Sequence, residues 1–201
     1  MATMTSTDAK TRLIAAMVDA LQKRGLHGSG LTELLAAAGA PKGVLYHHFP
    51  GGKAELAVAA IEATVERLCA SLDAALADDP VHGPADPGPA LMAWIASAQR
   101  KLDGSNYERG CPLATIALET TAADVAIRAA LAAGFDAIRR RIAAALVRNG
   151  HLPASADALA ALLLAAYEGG LLQARVAGSG QTMNQVGEVL LATLKLHRPK
   201  E

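Results

Sequence analysis

Two cysteines, Cys69 and Cys111, are the chain's whole complement. They fall in separate predicted elements without metal-ligand spacing, so neither a disulfide framework nor a zinc site is expected. Aromatic residues make up only 3% of the sequence, with one Trp, three Tyr and two Phe. β-Branched residues are also sparse beside alanine. That bias favours helix over strand, and no sheet is expected. Net charge is missing too: 19 Lys and Arg balance 19 Asp and Glu, which excludes a globally basic coat for nucleic acid. The longest uncharged apolar stretch, 158–167, is too short to cross a bilayer, and the leading MATMTSTDAKTRL offers no apolar run for a signal peptide. A cytoplasmic protein with no membrane partner is the expectation.

What the sequence does contain is hydrophobic mass, 52% of 201 residues, enough for one large domain or a small head on a larger body. The charge is also unevenly divided. Residues 1–60 hold six Lys and Arg against four Asp and Glu, so this end is positive by two and the remainder negative by two. A modest positive end suffices for a local DNA footprint, although it does not by itself indicate one.

Periodicity along the chain predicts an all-α protein of about nine helices. After a tail over 1–6, Thr7 or Asp8 opens a helix whose stripe is Leu13, Met17 and Leu21, with Ile14 and Val18 beside it, and Arg24 and Gly25 close it. A glycine-rich connector covers 26–30. The unbroken pattern over 53–77 predicts a helix of about 35 Å or more at ~1.5 Å per residue, burying Leu56, Ala60, Ala63, Val65, Leu68, Leu72 and Leu76. The segment DDPVHGPADPGP over 78–89 reads as a breaker-rich loop. Further helices are expected over 90–102, 112–121, 125–148, 155–176 and 182–197. Val125, Ile127, Leu131, Phe135, Ile138, Ile142 and Leu146 form the inward side of the 125–148 helix.

The stretch over 31–49, LTELLAAAGAPKGVLYHHF, organises the rest. Leu31, Leu34, Leu35 and Ala38 recur at helical spacing and make one apolar stripe. Gly39 can take the left-handed conformation that ends a helix without a Cβ clash. Pro41 suits a first helical turn, where its missing N–H costs nothing. In the second short helix Leu45 and Phe49 face inward, which leaves Lys42, Gly43, Tyr46 and His47 outward. Two short helices at a sharp turn form a helix-turn-helix, and the second suits the major groove of DNA. A helix over 7–24 would complete a head with Leu13, Ile14, Met17, Leu21, Leu34, Leu45 and Phe49 as its core.

The run GAPKGVLYHHFPGGK over 39–53 resembles the DNA-binding signature of TetR-type transcriptional regulators, in the variant of the LmrA/YxaF-like subgroup. The resemblance implies a homodimer with a three-helix DNA-binding head over 1–52 and an effector-binding and dimerisation body over 53–201. By motif position it implies that Lys42, Gly43, Val44 and His47 approach bases, while Tyr46, His48 and Lys53 hold the DNA backbone. Gly30 stands where many relatives carry a Thr or Ser cap, and Ser29 beside it is counted with the DNA contacts. The implied function is a repressor that leaves a palindromic operator on double-stranded DNA when a small apolar effector enters the body.

Residues 158–172 are apolar almost all round, so a helix there needs partners on more than one side. Relatives with this resemblance dimerise through the last two helices, which makes Leu163, Tyr167, Leu171, Val189 and Leu190 the candidate interface. For the effector, Trp94, Cys111, Phe135 and Tyr167 are the bulky or polarisable groups, with Glu119 and Glu168 as polar anchors, although for any one of them filling the core is the stronger reading. A carboxylate among apolar residues needs a partner, from Arg175, a Tyr hydroxyl or a cationic ligand.

No catalytic constellation, cofactor motif or metal site is legible. His47 and His48 are adjacent on a helix and point apart, which does not suit a metal. Gly51-Gly52-Lys53 lacks the flanking residues of a phosphate loop. The rival from another class is a helical small-molecule-binding or -modifying protein that never binds DNA. Salt-dependent retention on DNA separates the two, since only the regulator releases counterions.

Overall fold

The computed structural model describes residues 6–77 and 86–197. Among them are nine helices and no strand: α1 (Ser6–Arg24), α2 (Leu31–Ala38), α3 (Lys42–His48), α4 (Gly52–Ala75), α5 (Pro87–Gly104), α6 (Pro112–Glu119), α7 (Val125–Arg148), α8 (Pro153–Ala177) and α9 (Gln181–Leu196). The all-α expectation stands. Most of the expected tail over 1–6 and of the expected loop over 78–89 lies outside the described residues.

Helix α5 begins three residues before the predicted start at 90. Asp86 takes an extended conformation and accepts a hydrogen bond from the Gly88 N–H at 2.9 Å, so it is the N-cap. Pro87 then sits in the first turn, where a missing N–H is harmless. The prolines that read as breakers are start signals. Helix α8 likewise opens on a proline, Pro153, ahead of the predicted Ser155 or Asp157.

The chain packs as two units, and α4 and α7 contribute to both. The first holds α1–α3, the start of α4, α6 and the start of α7, within residues up to 64 and 111–134. Its head core is the expected one: Leu13, Met17, Leu21 and Leu45 are wholly buried, Leu34 and Phe49 nearly so, and Ile14 is half-buried. Arg12 Nε donates to the Ala38 carbonyl at 2.8 Å, and Arg24 pairs with Glu33 at 3.1 Å, tying α1 to α2. Helix α6 packs on α1 within this unit. Val125, expected inside, is exposed, and Phe135 in the other unit is only half-buried.

The second unit covers 65–110 and 135 onward. Its centre is α8, which packs on α9 and α5. Gly170 allows the close α8–α9 approach, since a Cβ there would come within 2.7 Å of the Met183 sulfur. His151, between α7 and α8, is buried with its ring nitrogens 3.1 and 3.4 Å from the Leu146 and Leu194 carbonyls. Helix α8 extends well beyond the run over 158–167. By length and mean hydropathy, 1.3 over its most apolar 18 residues, it would suffice to cross a bilayer, and 44% of those residues are buried within the protein.

Candidate DNA-binding surface and body sites

Gly39 adopts the left-handed conformation (φ 56, ψ 38), and the Ala40 N–H donates to the Leu35 carbonyl at 3.0 Å, so α2 ends in the glycine cap its sequence calls for. Pro41 (φ −67, ψ 154) is the residue just before α3, and its carbonyl accepts from the Val44 N–H at 3.0 Å. Only Leu45 of α3 is buried. A short helix anchored by one leucine and followed by buried Phe49 has a single possible phase, which turns Lys42, Gly43, Tyr46 and His47 to solvent, with Val44 and His48 half-buried.

This edge is loosely ordered by its own members. The Lys42 ammonium lies 5.9 Å from the centre of the Tyr46 ring, and the His47 and His48 rings meet edge to face at 5.0 Å. Tyr46 is 44% exposed and stands against the α3–α4 turn, where Gly52 (φ +67) leaves 3.2 Å between a hypothetical Cβ and the Tyr46 ring. Gly43 is different. A Cβ there would meet nothing within 4 Å, so the protein's own packing does not require glycine in a helix where it costs about 1 kcal/mol against alanine. Open space reserved in this way suits a partner that approaches the backbone.

Two of the expected contacts are engaged within the protein. Ser29 is fully buried and its hydroxyl donates to the Gly25 carbonyl at 2.7 Å, so its place among the DNA contacts is corrected to an internal fastening of the α1–α2 link. Lys53 is half-buried and its ammonium donates to the Leu26 carbonyl at 2.6 Å. An ammonium has three donors, so two remain for a phosphate.

Of the effector candidates, the structure brings Trp94 and Tyr167 together, both buried, with ring centres 4.6 Å apart. Phe135 and Glu168 belong to the same packing unit, whereas Cys111 and Glu119 belong to the first. Glu119, expected as a ligand anchor, is engaged within its own unit: its Oε2 accepts from the Leu26 and His27 N–H groups at 2.6 and 3.0 Å and lies 3.3 Å from His27 Nδ1. That oxygen already has the partners a half-buried carboxylate needs. An open hollow of ≈ 470 Å³ lies between the end of α6 and the start of α7, lined by Ala117, Thr120, Val125, Arg128, Ala129, Leu131 and Ala132, and none of the six candidates lines it.

The dimer candidates differ in exposure. Leu163, Tyr167, Leu171 and Leu190 are 3 to 6% exposed and spend their surface inside their own chain, while Val189 alone is outward at 66%. The opposite face of α8 carries Leu162, Leu172 and Val176 at 48%, 54% and 82%. Periodicity alone does not separate the two faces, because a helix apolar all round offers two equivalent stripes. Burial on one side is what distinguishes them.

Residues 13–60 match the family described as bacterial regulatory proteins, tetR family, and residues 87–189 match the C-terminal domain described as transcriptional regulator LmrA/YxaF-like. The chain is therefore a helix-turn-helix, DNA-binding transcriptional regulator. It belongs to the TetR family, with a C-terminal domain of the LmrA/YxaF-like kind. It is 30% identical to the HTH-type transcriptional regulator YxaF of Bacillus subtilis over 169 residues, covering 82% of this chain and 84% of that one. It is 32% identical to the transcriptional regulator AcuR of Cereibacter sphaeroides over 170 residues, covering 82% and 75%. Among solved structures, a regulatory TetR protein from Rhodobacter sphaeroides superposes with a TM-score of 0.80 at 28% identity, covering 92% of this chain and 97% of that one.

Proposed function

We propose that this regulator is a cytoplasmic repressor that holds a palindromic operator as a homodimer and releases it when a small apolar molecule enters the body. It acts by binding and not by catalysis, with residues 1–52 reading DNA and 53–201 serving effector and dimer. The observation that carries this reading is the exposed edge of α3, where Lys42, Tyr46 and His47 surround a glycine with open space above it. Lys42, Gly43, Val44 and His47 approach base edges; Tyr46, His48 and Lys53 position the phosphate backbone.

Two copies joined by the outward face of α8, through Leu162, Leu172 and Val176 with Val189 of α9, present two such edges related by a two-fold axis. Two-fold symmetry selects a palindrome whose half-sites lie about one helical turn, roughly 34–36 Å, apart or a multiple of it. The effector shifts the equilibrium only by its difference in affinity between the DNA-competent and released states. A hundredfold difference supplies about 2.7 kcal/mol. Trp94 and Tyr167 are the aromatic pair offered to it, with Phe135, Cys111 and Glu168 as further candidates.

Selection of bound duplexes from a random pool tests the reading directly. The expected product is an inverted repeat bound by two chains per duplex, with affinity that falls steeply as salt rises. Recovery of no enriched repeat, or binding indifferent to salt, contradicts it and favours a helical small-molecule binder.

A further inference from the structure

We infer that Glu119 is a positioning residue for DNA binding: from the C-terminal end of α6 its carboxylate clamps the α1–α2 link and so sets how the α2–α3 pair is presented. The inference rests on the DNA-reading role proposed above for α3.

The link over 25–30 turns at Gly25, whose φ of +75 is left-handed. Immediately after it, two successive N–H groups, those of Leu26 and His27, converge on one oxygen of Glu119 at 2.6 and 3.0 Å. Adjacent peptide N–H groups in such a turn form an anion-binding concavity. A carboxylate makes hydrogen bonds there roughly twice as strong as neutral ones. The next carbonyl, that of Leu26, is held from the other side by Lys53 at 2.6 Å, and Ser29 closes the link on the Gly25 carbonyl. One peptide is thus gripped by α6 and α4 at once.

Two further observations place the function of Glu119 in the link and not in its own helix. It is the last residue of α6, where a negative charge opposes the helix dipole, so α6 gains nothing from it. Helix α2 has Gly30 as its N-cap and so lacks any side-chain cap, which leaves its entry unfixed by its own first turn. Gly25 fits the same scheme, because a Cβ at that position would collide with Glu119 Oε1. Glycine is required there both for the backbone turn and to admit the carboxylate.

The full-length Glu119→Ala variant tests this with two measurements, using as probe the duplex selected by the wild-type chain. Amide exchange at Leu26 and His27 is expected to quicken at least tenfold while α8 and α9 amides keep their wild-type rates. Duplex affinity is expected to fall at least tenfold with an unchanged salt slope, because the same phosphates are met once the head is aligned. Glu119→Gln, which keeps an acceptor oxygen without the charge, is expected to fall between the two, and Gly25→Ala to reproduce Glu119→Ala. Wild-type exchange at the two amides, or affinity within twofold of wild type, would overturn the inference. Should Glu119→Ala fail to fold, Glu119→Gln decides: exchange and affinity equal to wild type would overturn it. A wild-type chain that selects no duplex removes the DNA reading itself, an outcome distinct from a clamp that proves dispensable.

Discussion

Helices α3 and α8 meet solvent with opposite chemistry. Helix α3 has seven residues, buries one leucine and offers lysine, tyrosine and histidine outward. Helix α8 has 25 residues, buries nine of them and still shows solvent three large aliphatic side chains, Leu162, Leu172 and Val176. A polar outward face in α3 marks what it meets as a charged, hydrogen-bonding surface. An apolar outward face on an already buried helix suits another apolar surface, which in the proposed dimer is a second copy of the same face.

The contrast breaks first at α8. Leu163→Ala, inside the unit, is expected to lower unfolding stability by about 2–5 kcal/mol in urea titrations at fixed chain concentration. Leu162→Glu, one residue away on the open face, is expected to leave the chain folded by circular dichroism but to sediment as a monomer. If Leu162→Glu remained dimeric while Leu163→Ala dissociated, the phase given to the interface would be reversed. On α3, the double variant Lys42→Ala with Tyr46→Ala is expected to lose at least 100-fold in duplex affinity, about 2.7 kcal/mol, without a change in helicity. Electrophoretic retention of that variant at wild-type protein concentrations would remove α3 from the interface.

A smaller effect separates the two duties of Lys53. If its ammonium holds one phosphate per head, Lys53→Ala reduces the slope of log affinity against log salt by roughly 0.9 per head. A lower affinity at every salt concentration with an unchanged slope would assign Lys53 to the Leu26 carbonyl alone.

The smallest expected effect is acidic. The Thr121 N–H and then its hydroxyl, both 2.8 Å from Asp124, hold this carboxylate below its ordinary range. The folded value lies below the unfolded one, so the stabilisation is present above the ordinary Asp value of about 3.9 and is lost as pH falls through the lowered folded value. Asp124 is only half-buried, so solvent screens the interaction and the contribution is slight. Acid titration of Asp124→Asn alongside wild type should show the two stabilities converging in that range; parallel curves would mean that Asp124 adds nothing.

The head was legible because every local signal agreed. Gly39, Pro41, Leu45 and Phe49 each allow one conformation or one side, and together they leave α3 a single orientation. The start of α5 was not legible, because Pro87 and Pro89 read equally as loop breakers and as first-turn residues until Asp86 is seen to cap Gly88. Nor was the role of Glu119: a carboxylate that grips a peptide 93 positions away leaves no periodic trace in the chain. The phase of α8 was hidden for a third reason, since alanine and leucine on every side carry no information about which side turns inward.

The most direct measurement of whether α3 reads bases is methylation protection on the selected duplex. Dimethyl sulfate attacks guanine N7 in the major groove and adenine N3 in the minor groove. Protection of guanine N7 in both half-sites, with adenine N3 as reactive as in free DNA and guanine protection lost in the Lys42→Ala, Tyr46→Ala variant, is the predicted pattern. Guanine N7 that stays fully reactive under saturating protein, or protection confined to adenine N3, would contradict it.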